Sequence, residues 1–343
     1  MKPLSMRFAP LVIAAPLLLM GAVSASAGSW ADGKSDPSFA KSMQICKSVE
    51  TVDIDEPTSP DKAIPCDSEA LYYGIGMKAD PAAARRCAAR EAERADANEV
   101  PFGGNSLLMM MYANGVGVKR DLNRAIALAC QLDGADAEMD GRVQHLARLR
   151  AEGWTGNNFS VCDDATSGLL AGICEAHASR IENIRRKQTI TALSKDWSAP
   201  QKAALARLQT ASATYANAVA DNEVDLSGTL RAALQIDATD AVNKTFQNDL
   251  HQLVNGKLKK FSIPQLAQSD AILNTTYQKV MHTKDFSYGT VKQSGIRDTQ
   301  RAWLAYRDAF TTFVAEAFPD RSADDIKGAL TVERTAALRE FLP

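Results

Sequence analysis

In the last third of the chain the apolar positions follow one rule. Ile296, Trp303, Phe310 and Ala317 recur at one heptad position and Thr299, Tyr306 and Phe313 at another, and no glycine or proline interrupts TQRAWLAYRDAF, Thr299 to Phe310. Both sets fall on one side of a helix, forming a wide aromatic stripe suited to packing against neighbouring helices. Arg297, Arg301, Arg307, Asp298 and Asp308 fall largely on its flanks, where solvated ion pairs contribute little, roughly 0.2–1 kcal/mol each. Arg307 differs from the rest, because it lies beside the stripe and could reach a buried acceptor. No segment shows sustained alternation with a period of two. The pattern therefore predicts an all-α protein, a short array of helical hairpins followed by an antiparallel helical bundle.

The upstream pattern divides the chain. Residues 28–65 are rich in Ser, Asp, Pro and Lys, with EPTSPDKAIP as the clearest irregular stretch, and read as a mostly extended arm tied down by Cys46. From Cys66 to about residue 153 the sequence becomes alanine-rich and repeats itself. LYYGIGMKADPAAA, from Leu71, matches YANGVGVKRDLNRA, from Tyr112, without a gap at Gly74/Gly115, Gly76/Gly117, Lys78/Lys119, Asp80/Asp121 and Ala84/Ala125. A helix ends at glycine, the G-x-G turn takes positive φ, and Asp80 or Asp121 can cap the next helix, with Pro81 at its first position. This G-x-G-x-x-x-D pattern followed by alanine resembles the Sel-one-like repeat, a relative of the tetratricopeptide repeat. The resemblance implies a surface for another protein or packing support for the rest of the chain. A phosphate loop is not indicated, since neither a preceding strand nor a third spaced glycine is present.

Residues 154–262 form a further helical region, entered through the polar break WTGNNFS and punctuated by Ser198 and Pro200, with FSIPQ around Pro264 marking the next boundary. Gln209, Ala211 and Tyr215 match Gln300, Ala302 and Tyr306 at the same spacing, with Ser212 and Ala216 where Trp303 and Arg307 stand. That is either a degenerate copy of the C-terminal unit, residues 263–343, or a chance likeness between alanine-rich helices.

The N-terminus reads as a targeting segment. Lys2 and Arg7 precede the apolar run from Phe8 to Met20, and Ala25-Ser26-Ala27 offers the small residues of a cleavage site, so residues 1–27 are expected to be a signal peptide cut near Ala27. No later apolar stretch is long enough to span a bilayer, which makes the expected mature chain periplasmic or secreted. Export decides how the six cysteines are read. Cys46, Cys66, Cys87, Cys130, Cys162 and Cys174 are disulfide candidates of open connectivity, Cys162 and Cys174 flanking what reads as a short helix and expected to pair. A zinc site is disfavoured, because there is no C-x-x-C and His145, His177, His251 and His282 are scattered. The formal charge of −2 over 343 residues gives no reason to expect nucleic acid as a partner, and no cofactor motif occurs.

Three ordered runs carry the identity of the C-terminal region. QSDAILNTTY (Gln268 to Tyr277), TQRAWLAYRDAF and TVERTAALREFL (Thr331 to Leu342) together resemble the lysozyme-inhibitor LprI-like domain over about Ile263 to Leu342. The resemblance makes Leu273, Asn274, Tyr277, Gln300, Trp303, Tyr306, Arg307, Arg334 and Leu338 the signature positions, mainly structural and not catalytic. It departs from the family in lacking the cysteines many members carry after the Arg-Asp pair and before the last helix.

No H-E-x-x-H, nucleophile elbow or phosphate loop occurs, so no catalytic residue is assigned and the chain is not expected to be an enzyme. The expected function is an exported helical binding protein of the bacterial cell envelope, with a protein partner that the resemblance identifies with a lysozyme. Its C-terminal region is near charge balance, without steering towards a basic partner. One alternative is an envelope hydrolase or carbohydrate-binding protein with carboxylates roughly 5–10 Å apart in a groove. Another is a structural or stress-related envelope protein with an unknown protein partner.

Overall fold

The computed structural model describes residues 37–56, 66–94, 100–284, 286 and 289–343, and among these there are helices and no β-strand. The leader, its cleavage site and most of the irregular stretch before Cys66 lie outside the described residues. The buried apolar residues form two cores, one running from Val49 to Val161 and one from Ile190 to Phe341.

The segment expected to be an extended arm instead contains a helix, α1 (Ala40–Ser48). Its Met43, Ile45 and Cys46 pack on the first core, while Lys41, Lys47 and Ser48 are exposed and Ser42 is buried. Ser42 Oγ donates to Asp140 Oδ1 at 2.5 Å, and Cys46 is bonded to Cys130. Tertiary burial has overridden a weak local preference.

Two helical hairpins follow, α2 (Ser68–Tyr73) with α3 (Pro81–Glu91), and α4 (Gly104–Asn114) with α5 (Leu122–Ala129). Both turn on the same chemistry. Gly74 and Gly76 in one, and Gly115 and Gly117 in the other, have positive φ. Asp80 N–H donates to Leu71 O in the first hairpin, and Asp121 N–H to Tyr112 O in the second. The Asp80 and Asp121 carboxylates accept from Ala83 N–H and Arg124 N–H at 2.9 and 3.0 Å, capping α3 and α5. Gly117 is needed twice over, since a Cβ there would also sit 2.8 Å from Pro81 Cβ. The central helix α4 is buried from Leu107 to Asn114, and α6 (Asp136–Ala151) packs on α5 and α1.

Six longer helices complete the chain: α7 (Gly168–Leu193), α8 (Ala199–Asn222), α9 (Arg231–Val254), α10 (Ile263–His282), α11 (Gln293–Ala317) and α12 (Ala323–Arg339). They form two triplets of one arrangement. In the first, α7 and α8 both pack on α9; in the second, α10 and α11 both pack on α12; and α8 packs on α11. The first and third helices of each triplet run the same way. Gly168 faces Thr229 while Arg186, further along, reaches Asp240; Phe261, before α10, meets Asp325, and Phe286, after it, meets Phe341. Gly328 is required where α12 passes Phe261, as a Cβ would fall 2.4 Å from that ring.

The aromatic stripe of α11 finds a face built to receive it. Ala204, Leu208, Ser212, Ala216 and Ala220 of α8 are buried at intervals of one helical turn, and small side chains there let the large ones of α11 approach. The two helices are antiparallel: Gln201 Nε2 donates to Ala317 O at 2.7 Å near one end, and Thr299 Oγ1 to Ala218 O at 3.0 Å near the other. Tyr215 stacks on Tyr306 with ring centroids 5.5 Å apart.

Helix α7 is shared between the two cores. Near its start, Cys174 is bonded to Cys162, and the His177 ring stacks on Phe102 at 3.8 Å while Nδ1 bonds Glu69 at 2.5 Å. Further on, Ile190 belongs to the second core. The short helix expected between Cys162 and Cys174 is thus replaced: Cys162 lies in a 3-10 turn, Val161–Asp164, and Cys174 within a helix of 26 residues. The third disulfide joins Cys66 to Cys87, which leaves no free cysteine.

Candidate functional site

The nine signature positions divide into two groups of opposite character. Leu273, Trp303, Tyr306, Arg334 and Leu338 are buried, none more than 3% exposed. Asn274, Tyr277, Gln300 and Arg307 instead line a groove of about 380 Å³ between α10 and α11, together with Leu273, Asp270, Arg297, Arg301 and Leu304. Besides Leu273, four of the nine positions that read as mainly structural therefore line an open, polar concavity.

Arg307 sits at the junction of the groups. Its Nη1 donates to Asp270 Oδ1 at 3.3 Å, and its guanidinium lies 4.9 Å from the centre of the Trp303 ring. A cation over an indole face is attracted by the ring quadrupole, so the side chain is held on both sides and its Nε, buried, keeps no hydrogen-bond partner. Arg301 pairs with Asp298 at 3.1 Å, whereas Arg297 has no ion-pair partner among the described residues. Among the described residues the groove thus offers one unpaired and two partly compensated cations, with the amides of Asn274 and Gln300 between them. Asp270 was not singled out in the sequence, although its position one turn before Asn274 puts it on the same face of α10.

Arg334 solves a different problem. Its guanidinium is fully buried and makes a fork-shaped pair with Glu223, Nη1 and Nη2 donating at 2.7 and 2.6 Å, while Nε donates to Gln300 Oε1 at 2.8 Å. Glu223 caps the end of α8, so this pair ties the last helix of the second triplet to the middle helix of the first. No local signal joins residues so far apart in sequence.

Among the described residues one cluster has the composition of a metal site. Cys66, Cys87 and Glu91 come together, but the two sulfurs are spent on each other. The carboxylate most displaced from its ordinary behaviour is Asp249 on α9, 2% exposed, with Oδ2 unpartnered. Burial first, and the charge of Glu333 second, push its pKa up to about 8. Enclosed in this way, it offers a sugar no route of approach. A carboxyl whose pKa is raised on folding costs stability once pH exceeds its unfolded value near 4, and the cost grows until pH reaches about 8. Asp249→Asn is accordingly expected to raise the melting temperature by several degrees at pH 8 and to change it little at pH 4, as differential scanning calorimetry would show.

A second groove, of about 410 Å³, lies on α7, α8 and α9. Asn183, Arg186 and Gln209 line it, each preceding Asn274, Tyr277 and Gln300 of the first groove by one constant interval along the chain. No curated protein and no solved structure matches the chain. Residues 254–338 match the family model described as Lysozyme inhibitor LprI, a span from the end of α9 to the last turn of α12. The segment that builds the first groove is therefore similar to lysozyme inhibitors of that family.

Proposed function

We propose that the protein is an exported, non-catalytic binding protein of the cell envelope whose α10–α11 groove docks on a lysozyme-like protein. The observation that carries this reading is the polar half of the signature, which surrounds an arginine-lined concavity inside the matched segment. A lysozyme works with two carboxylates flanking its cleft, and Arg297, Arg301 and Arg307 supply the complementary charge. The three disulfides suit an oxidising compartment, and no described helix is long and apolar enough to cross a membrane.

Titrating lysozyme with the purified protein on a cell-wall suspension is expected to lower activity with a stoichiometric end point. Arg297→Glu with Arg301→Glu should weaken inhibition by about tenfold or more, while Lys187→Glu with Lys202→Glu, in the second groove, should not. Undiminished lysozyme activity at excess protein would sink the proposal.

The triplet α7–α9 is read as a degenerate copy of α10–α12. The matching helix directions, the Tyr215–Tyr306 stack between the two middle helices and the equivalent grooves support that reading. Ser212 and Ala216, where the second copy has Trp303 and Arg307, would leave the first copy as the smooth face on which the second is mounted. The hairpins of α2–α5 are read as Sel-one-like repeats, supported by their shared turn and cap geometry.

A further inference from the structure

Away from both grooves, a cavity of about 280 Å³ opens between α6, the start of α7 and the preceding turn. Its walls include Leu132, Met139, Val161, Leu170 and Ile173. Among the described residues the one cation lining it is Arg142, which is 2% exposed. This arginine is poorly provided for. Nη2 donates to Val161 O at 3.2 Å and Nη1 points at Met139 Sδ at 3.6 Å, but Nε has no hydrogen-bond partner and, among the described residues, no carboxylate forms an ion pair with it. The acidic groups nearby are engaged elsewhere. Glu138 Oε1 accepts from Thr166 N–H and Ser167 N–H at 3.0 and 2.6 Å, Asp133 Oδ1, also on the cavity wall, accepts from Gly134 N–H at 2.8 Å, and Asp164 holds His145 at 3.2 Å. Burial depresses the Arg142 pKa despite the fields of Asp164 and Glu138, as expected of a cation short of solvent and of partners.

A buried charge without a direct ion-pair partner is costly, and although Asp133 and Glu138 also stand on the wall, a largely apolar cavity with one unpaired cation recognises a molecule of the same two-part character. We propose that this cavity binds a small amphiphile with a carboxylate head and a short unbranched hydrocarbon chain. The head takes the unpartnered Nε of Arg142, and the chain lies along Leu132, Leu170 and Ile173 towards the mouth, where Leu169 is 76% exposed. The size falls at the lower end of small-ligand sites, which favours a medium-chain fatty acid over a long one.

Isothermal titration of the intact protein with octanoate, octanol, octyltrimethylammonium and acetate separates head from tail. Octanoate is expected to bind at least about tenfold more tightly than octanol, with no measurable heat from the cationic analogue or from acetate. In Arg142→Met the advantage of octanoate over octanol should vanish while octanol binding persists. If that variant fails to fold, the ligand series on the unmodified protein decides alone. Equal affinity for octanoate and octanol, or no binding of octanoate at millimolar concentration, would overturn the proposal. Because the cavity shares no residue with the α10–α11 groove, either result is independent of lysozyme inhibition.

Discussion

Arg334→Ala is expected to destabilise the protein by about 3–5 kcal/mol, the cost of leaving a buried carboxylate without its counter-charge. Glu223 is only 4% exposed and spends both oxygens on this one guanidinium, so water cannot readily replace what is lost. Gln300 would lose the donor to its Oε1 as well. The loss should show as a lower midpoint in guanidinium denaturation followed through Trp303, whose ring is 1% exposed in the same core. A control distinguishes the charge from the packing. Arg334→Met combined with Glu223→Leu removes both charges and keeps the volume, and should recover most of the stability. If Arg334→Ala alone costs under about 1 kcal/mol, the pair does not hold the triplets together as described.

Opening the Cys46–Cys130 disulfide is expected to have a comparable effect through the unfolded chain. The bridge closes a loop with a sequence separation of 84, for which loop entropy gives about 4–5 kcal/mol. The Cys162–Cys174 bridge, at a separation of 12, gives about 3 kcal/mol on the same reasoning. Cys46→Ser with Cys130→Ser should therefore lower the melting temperature more than Cys162→Ser with Cys174→Ser. Hydrogen exchange should locate the damage, with α1 losing protection first because its tie to α5 is gone. Equal effects from the two pairs would show that strain or residual unfolded structure outweighs loop length.

Much of the fold was legible before any coordinates. Turn chemistry at Gly74, Gly76, Gly115 and Gly117 and caps at Asp80 and Asp121 depend on residues within a few positions of one another, and the structure repeats them twice as read. The stripe from Ile296 to Ala317 is likewise local, and each of its seven positions is buried. The arm before Cys66 was misjudged because the helix of α1 draws its support from α6 and from Cys130, not from its own composition. Of the site, the residue types were visible but their division was not. Periodicity placed Arg307 beside the stripe, while its partner Asp270 stands on another helix.

Taken alone, the amino-acid sequence determined the elements of this protein: helices, the turns and caps of the hairpins, and the face that α11 buries. Those depend on backbone preferences and a period of 3.6, which act over a few residues. Which signature residues face solvent, what satisfies Arg334, which cysteines pair across long loops and where Arg142 is left short of a partner were decided only by tertiary structure. Each depends on side chains brought together from distant segments, where burial sets the strength of every charge and no local pattern records the neighbour.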